Sequence, residues 1–167
     1  MILNRVDSFF TEDQLRSIND MAASGWSFQI SEERNTCENK LPFLYLELDR
    51  DFIEEELDPL LKKTLDVDFR IERAYLNGQW NGRDGNFHTD DDSEDALTVL
   101  VYLNSEYDLE WGGFTQFIDL EKGISVVETP QFNRALVFKG NNLHKSYAFC
   151  YQNCPMRVTL AIKLTQL

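Results

Sequence analysis

The chain sets out its polar and apolar positions in two rhythms that change near residue 68. Before that point the period is mostly helical. Thr11-Glu12-Asp13-Gln14 is a capping-box pattern, in which a Thr hydroxyl and a Gln three residues on satisfy each other's free backbone amides. Leu15, Ile18 and Ala22 then recur on one helix face. A second helix is expected around Phe52 to Leu65, with Leu57, Leu60, Leu61 and Leu65 as its apolar stripe. Pro59 marks a start or a kink there, because it has no N–H to give. Between the two helices, Phe43 to Leu48 alternates as a strand does.

From Phe69 onward, short strands separated by turns replace the helical period. The candidates are Phe69–Leu76, Ala96–Asn104, Gly113–Ile118, Ile124–Glu128, Arg134–Phe138, Lys145–Phe149 and Met156–Leu164. In the last, Val158, Leu160, Ile162 and Leu164 share one face, and Arg157, Thr159, Ala161 and Lys163 share the other. Many short strands at this spacing predict a sandwich or barrel, and helices at one end only predict buttressing of one sheet. The expected fold is mainly β (α+β), a double-stranded β-helix (jelly roll) with N-terminal supporting helices. No repeat, linker or low-complexity tract divides the chain. A single domain over 1–167 is expected, with mixed helical support over 1–68 and the jelly-roll core over 69–167.

Composition narrows the partners. Of 167 residues, 43% are hydrophobic and 13% aromatic, enough for a packed globule rather than a disordered tail. The formal charge is −13, from 16 basic and 29 acidic side chains, so nucleic acid is disfavoured for want of cations to meet phosphates. No apolar run approaches the roughly 18 residues of a membrane span, and the start lacks a signal-peptide pattern. The expected location is cytoplasmic, as a monomer or weak homodimer with no membrane partner. Cys37, Cys150 and Cys154 are an odd set, expected to be reduced thiols. Cys150 and Cys154 have no second Cys or His pair at zinc-finger spacing.

The candidate chemistry starts from the chain's two histidines, His88 and His144. In Phe87-His88-Thr89-Asp90, residues i and i+2 of an extended backbone point the same way, so an imidazole and a carboxylate reach one ion. An imidazole from a distant strand would complete three ligands and leave three positions open, the facial triad of non-haem iron oxygenases. Asp fills 15 of 167 positions, so His-x-Asp alone is weak. Taken singly, His144 reads more readily as a surface-loop histidine than as a ligand. Arg157, thirteen residues after His144, has Thr159 on its own face. Together they offer the planar fork and auxiliary hydroxyl that an oxoacid carboxylate takes; the plain alternative is a solvated strand-end arginine. Tyr102 and Tyr75 flank the His88 loop, as carboxylate donors or as packed core rings. Trp111-Gly112-Gly113-Phe114 fits a tight turn before a strand.

These blocks, in this order, are where a family becomes recognisable. Tyr75-Leu76-Asn77-Gly78, His88-Thr89-Asp90, Leu97 to Asn104, Trp111 to Phe117, Arg134 to Phe138, His144 and Arg157-Val158-Thr159 together resemble prolyl-4-hydroxylase-like Fe(II)/2-oxoglutarate dioxygenases. The resemblance runs from about Phe69 to Leu164. It implies iron ligation by His88, Asp90 and His144, and 2-oxoglutarate anchoring by Arg157 and Tyr102, with Tyr75 near the co-substrate. Thr159 fits the Arg-x-Ser/Thr pattern of these oxygenases. Collagen-type prolyl hydroxylases usually carry Lys where Arg157 stands, whereas the oxygen-sensing branch uses Arg, which this chain resembles more. Its interval from His144 to Arg157 is longer than usual, as if Cys150 to Pro155 lengthened a hairpin.

The resemblance implies Fe(II), 2-oxoglutarate and O2, and admits ascorbate. It implies hydroxylation of an unactivated C–H bond, foremost in a prolyl residue of a peptide or protein. A free amino acid or other small metabolite is the alternative substrate. A non-catalytic jelly-roll metal-binding module and a zinc hydrolase are the rival classes; the hydrolase would need a general-base Glu beside the metal. The polar stretch Ser31–Lys40 reads as a lid or an ordinary surface loop, and Trp80, Trp111 and Tyr147 are expected at the mouth of the site.

Overall fold

A computed structural model of the chain describes residues 1–23, 25–30 and 42–167. Strands β1 (Ile2–Val6), β2 (Ser27–Ile30), β3 (Pro42–Glu47), β4 (Phe69–Gln79) and β5 (Ala96–Tyr102) are followed by β6 (Thr115–Asp119) and β7 (Ile124–Glu128). β8 (Ala135–Lys139), β9 (Leu143–Ser146) and β10 (Arg157–Gln166) complete them. A seven-stranded antiparallel sheet runs β1-β8-β5-β10-β4-β3-β2, and a three-stranded sheet runs β7-β6-β9. The expected lid Ser31–Lys40, and Cys37 within it, lie outside the described residues.

The central strands are apolar on both faces because both are covered. On one face Leu97, Val99 and Val101 of β5 align with Leu164, Ile162 and Leu160 of β10. They join Ala74, Leu76, Val137, Ile18, Leu57 and Leu61 in the main core, beneath the helices. On the other face Tyr102, Leu136 and Phe138 pack against Phe117 from the small sheet. The alternation expected for β10 is therefore real. Its second face carries Arg157, Thr159, Ala161 and Lys163 into the space between the sheets. The fold is the expected jelly roll with supporting helices.

The helices follow their sequence signals. At α1 (Glu12–Ala22) the capping box is formed: the Gln14 amide donates to Thr11 Oγ1 at 3.3 Å, and the Thr11 amide to Gln14 Oε1 at 3.0 Å. The second helix enters as α2 (Arg50–Phe52), widens into a π-helical turn over Ile53–Leu57, and continues as α3 (Asp58–Thr64). Pro59 lies in the first turn of α3. The widened turn precedes a residue that cannot donate, and Asp58 N–H reaches back five residues to Ile53. Leu57 and Leu61 are thereby both fully buried.

The structure adds two strands the pattern did not predict, β1 and β2. Both are sheet edges, where exposure removes the alternation: β1 is mostly exposed, and β2 has four residues. β9 begins at Leu143, two residues before the expected strand, so His144 is a strand residue rather than a loop one.

Candidate metal centre

The two histidines meet through backbone pairing. His88 N–H donates to His144 C=O at 2.9 Å and the reciprocal bond is 3.0 Å, an isolated antiparallel bridge that ties the loop after β4 to β9. Their rings lie 4.4 Å apart. Each Nδ1 is 2.9 Å from the carbonyl oxygen two residues earlier, Asn86 for His88 and Asn142 for His144. A carbonyl only accepts, so each Nδ1 carries the proton and each Nε2 presents a lone pair, as a metal ligand must. Phe117 and Phe138 close around the His144 ring, which is 7% exposed.

Asp90 is delivered by a turn folded onto Gly140, whose carbonyl accepts from Asp90 N–H at 2.8 Å. A Cβ at Gly140 would stand 2.7 Å from Ala96 Cβ, so only glycine admits this approach. Asp90 Oδ1 is 3.5 Å from His88 Nε2, and Oδ2 is 3.7 Å from His144 Nε2. The ligand-type atoms of His88, Asp90 and His144 all lie within 4.8 Å of one another. No glutamate belongs to this group among the described residues. Two imidazoles and one carboxylate at this spacing fit Fe(II).

Electrostatics prepares the same ligands. Burial pushes His144 down to about 4, reinforced by His88 and Lys163, although Asp90 pulls upward. His88 is raised: burial opposes the charge, but the hydrogen bond and charge of Asp90 more than offset it. For Asp90, burial favours the neutral acid, yet Lys163 and the two imidazoles hold it well below the usual carboxylate range.

Arg157 lies at the other end of the same face of β10, and is 1% exposed. Its Nε donates to Gly113 C=O at 2.9 Å, Nη1 to Gln79 Oε1 at 2.9 Å and Nη2 to Thr115 Oγ1 at 3.0 Å. Tyr102 lies under the guanidinium, 5.5 Å from its ring centroid, and donates to Thr115 Oγ1 at 2.8 Å. Three of five N–H donors are thus engaged by neutral acceptors, and among the described residues Arg157 forms no ion pair. A buried cation without an acid is costly, and the donors left over suit an incoming carboxylate.

Thr159 is buried on the same face, opposite Tyr102 on β5 and Asn77 on β4. Tyr75 lies one step further along, opposite Ala161, stacked on Tyr45 with ring centroids 4.8 Å apart. The Arg73 guanidinium lies over the Tyr75 ring, 5.4 Å from its centroid. Of the aromatics expected at the mouth, Tyr147 donates to Gln116, Trp111 packs on Phe149 and Trp80 edges Phe28. Cys150 and Cys154 are free thiols. Sequence reading missed Lys163 and Thr98, which both touch Asp90, and the Gln79, Gly113 and Thr115 cradle of Arg157. Lys163 had a signal: a charge between the apolar Ile162 and Leu164, on the face of Arg157. Gln79 lay three residues past the expected strand end.

A family model described as the 2OG-Fe(II) oxygenase superfamily matches residues 74–162, more than half the chain. No curated protein gives a match. Among solved structures, an oxidoreductase of the 2OG-Fe(II) oxygenase family from Burkholderia pseudomallei is similar at TM-score 0.73 and 12% identity, over 96% of this chain and 82% of that one. A Pseudomonas putida prolyl-4-hydroxylase gives 0.70 and 16%, over 98% and 92%. A Trichoplax adhaerens prolyl hydroxylase, in complex with a hypoxia inducible factor oxygen degradation domain peptide fragment, gives 0.72 and 17%, over 97% and 82%. At these identities the structures speak to the fold, and the family match carries the classification. This chain belongs to the 2OG-Fe(II) oxygenase superfamily, whose chemistry uses Fe(II), 2-oxoglutarate and O2.

Proposed function

We propose that the chain hydroxylates an unactivated C–H bond of a prolyl residue in a peptide or protein. In this reading His88, Asp90 and His144 hold the iron, Arg157 grips the distal carboxylate of 2-oxoglutarate, and Tyr102 and Thr159 line that end. Tyr75 stands near the co-substrate. The observation that carries the proposal is a three-residue His/Asp cluster together with a buried arginine that, among the described residues, forms no ion pair. The prolyl substrate is supported by likeness to prolyl hydroxylases, one of them holding a peptide.

When bound, iron and 2-oxoglutarate supply the oxidation: one O2 is consumed, the oxoacid becomes succinate and CO2, and the substrate C–H becomes C–OH. The protein's part is placement. The Nδ1 bonds fix both imidazoles with Nε2 inward. The guanidinium, with the Tyr102 phenol kept neutral because burial raises it, would hold the distal carboxylate of the oxoacid. Phe117 and Phe138 keep water from the inner ligand.

Anaerobic Fe(II) and 2-oxoglutarate should together give a weak visible charge-transfer band, and O2 with a prolyl peptide library should then give succinate. His88→Ala or Asp90→Ala should abolish the band. Arg157→Met should chiefly weaken 2-oxoglutarate affinity. An intact protein with neither band nor succinate would refute the oxygenase reading; succinate stimulated by free amino acids and by no peptide would refute the prolyl one.

A further inference from the structure

Lys163 is a charged side chain in the middle of β10, between the core residues Ile162 and Leu164, and its side chain is only 12% exposed. Lysine is rarely buried in such a place without a partner. Its acid partner among the described residues is Asp90, with Nζ 2.5 Å from Oδ2. Thr98, opposite Lys163 on β5, donates to the same oxygen at 2.6 Å. The two oxygens of Asp90 therefore stand in unlike surroundings. Oδ2 takes an ammonium and a hydroxyl and lies 3.7 Å from His144 Nε2; among the described residues Oδ1 has no such donor and lies 3.5 Å from His88 Nε2.

We propose that Lys163 is a positioning residue for the metal centre, holding Asp90 Oδ2 together with Thr98 so that Asp90 offers iron one oxygen only. This rests on the ligand set proposed above. A carboxylate free to turn can bind through both oxygens, and a second Asp90 oxygen would occupy one of the three positions the oxoacid and O2 require. Neither neighbour can be drawn away easily: Thr98 is 1% exposed, and Lys163 is confined by the strands on both sides.

The test uses the full chain, anaerobically, with Fe(II) and 2-oxoglutarate and no substrate, so that binding is read without turnover. Lys163→Met should still bind Fe(II), but with a shifted or bleached charge-transfer band and 2-oxoglutarate affinity lower by roughly 10- to 100-fold, the range seen for outer-shell partners of metal ligands. Lys163→Arg, which keeps a cationic donor, should restore the band. If Lys163→Met does not fold by circular dichroism, Thr98→Val decides: a shifted band supports the role, and an unchanged band overturns it. A folded Lys163→Met with wild-type band and affinity overturns the role of Lys163 while the oxygenase reading stands. A wild-type protein without any band overturns both.

Discussion

His88 and His144 are joined by backbone hydrogen bonds of 2.9 and 3.0 Å and differ in how they are enclosed. His144 is enclosed by Phe117 and Phe138, whereas the His88 side chain is 39% exposed and leans on Asp90. With two histidines in the chain, their titrations in the metal-free protein are readable by NMR. One ring should titrate near pH 4 and the other above the ordinary 6.5. Two curves both centred near 6.5 would contradict the enclosure of His144. The stability sign follows. An unfolded His144 takes its proton near 6.5 and the folded one not until about 4, so this residue makes the metal-free fold less stable as pH falls between those values. The loss is about 3 kcal/mol at most for one such group. His88 acts oppositely, its contribution being present below the ordinary value and lost as pH rises through its raised folded value.

At this scale the sequence was informative about residue types and silent about their surroundings. Parity alone puts Arg157 and Thr159 on one face, because the period of a strand is fixed. The Lys163–Asp90 contact was out of reach, since it joins residues 73 positions apart through a turn whose shape depends on Gly140. That Arg157 forms no ion pair among the described residues is likewise a fact about neighbours, and no local pattern records it.

Among elements, the turn leading into β6 bears most on the site. Gly113 has φ +73°, a left-handed value, and its carbonyl takes the Arg157 Nε. A Cβ there would fall 2.3 Å from the Phe149 ring. Gly113→Ala should therefore destabilise the protein by about 1–3 kcal/mol, from the strained φ and displacement of the ring. It should also weaken 2-oxoglutarate binding by moving the carbonyl. Urea unfolding and anaerobic titration check the two arms, and an alanine variant as stable as wild type would contradict this packing. The glycine pair was visible in the sequence as a turn, but its hold on an arginine 44 residues away was not. Elements with strong periods were legible for a physical reason: α1 carries its own cap, and β10 must satisfy two buried faces. The edges β1 and β2 bury too little to leave a pattern, and β9 was misplaced because a histidine reads as polar even when enclosed.

Over the whole molecule, the folded chain binds what the unfolded one does not. Bound Fe(II) with 2-oxoglutarate at about a hundred times its dissociation constant should add roughly 2.7 kcal/mol, which for a domain of this size raises Tm by about 5–10 °C. Anaerobic thermal melts measure this. The shift should vanish in Asp90→Ala and shrink in Arg157→Met; equal shifts in all three proteins would mean that the ligands bind elsewhere. The order of the matching blocks made the family legible from sequence, since His88, Asp90, His144 and Arg157 follow one another along the chain with spacings a resemblance can match. Among the described residues no helix is long and apolar enough to cross a membrane.

The place of β10 in its sheet has a temporal side. It lies between β4 and β5, and it joins the β4-β3-β2 half to the β5-β8-β1 half. Of the ten strands among the described residues it is also the one made last, residues 157–166. A nascent chain can thus form two partial sheets, but it has no centre to unite them until those residues emerge from the ribosome. Until then β4 and β5 both display unpaired inner edges, the kind of surface that recruits other chains. Production of this protein should accordingly be most vulnerable in the interval just before β10 appears, when a holding chaperone would do more good than any change in the finished fold.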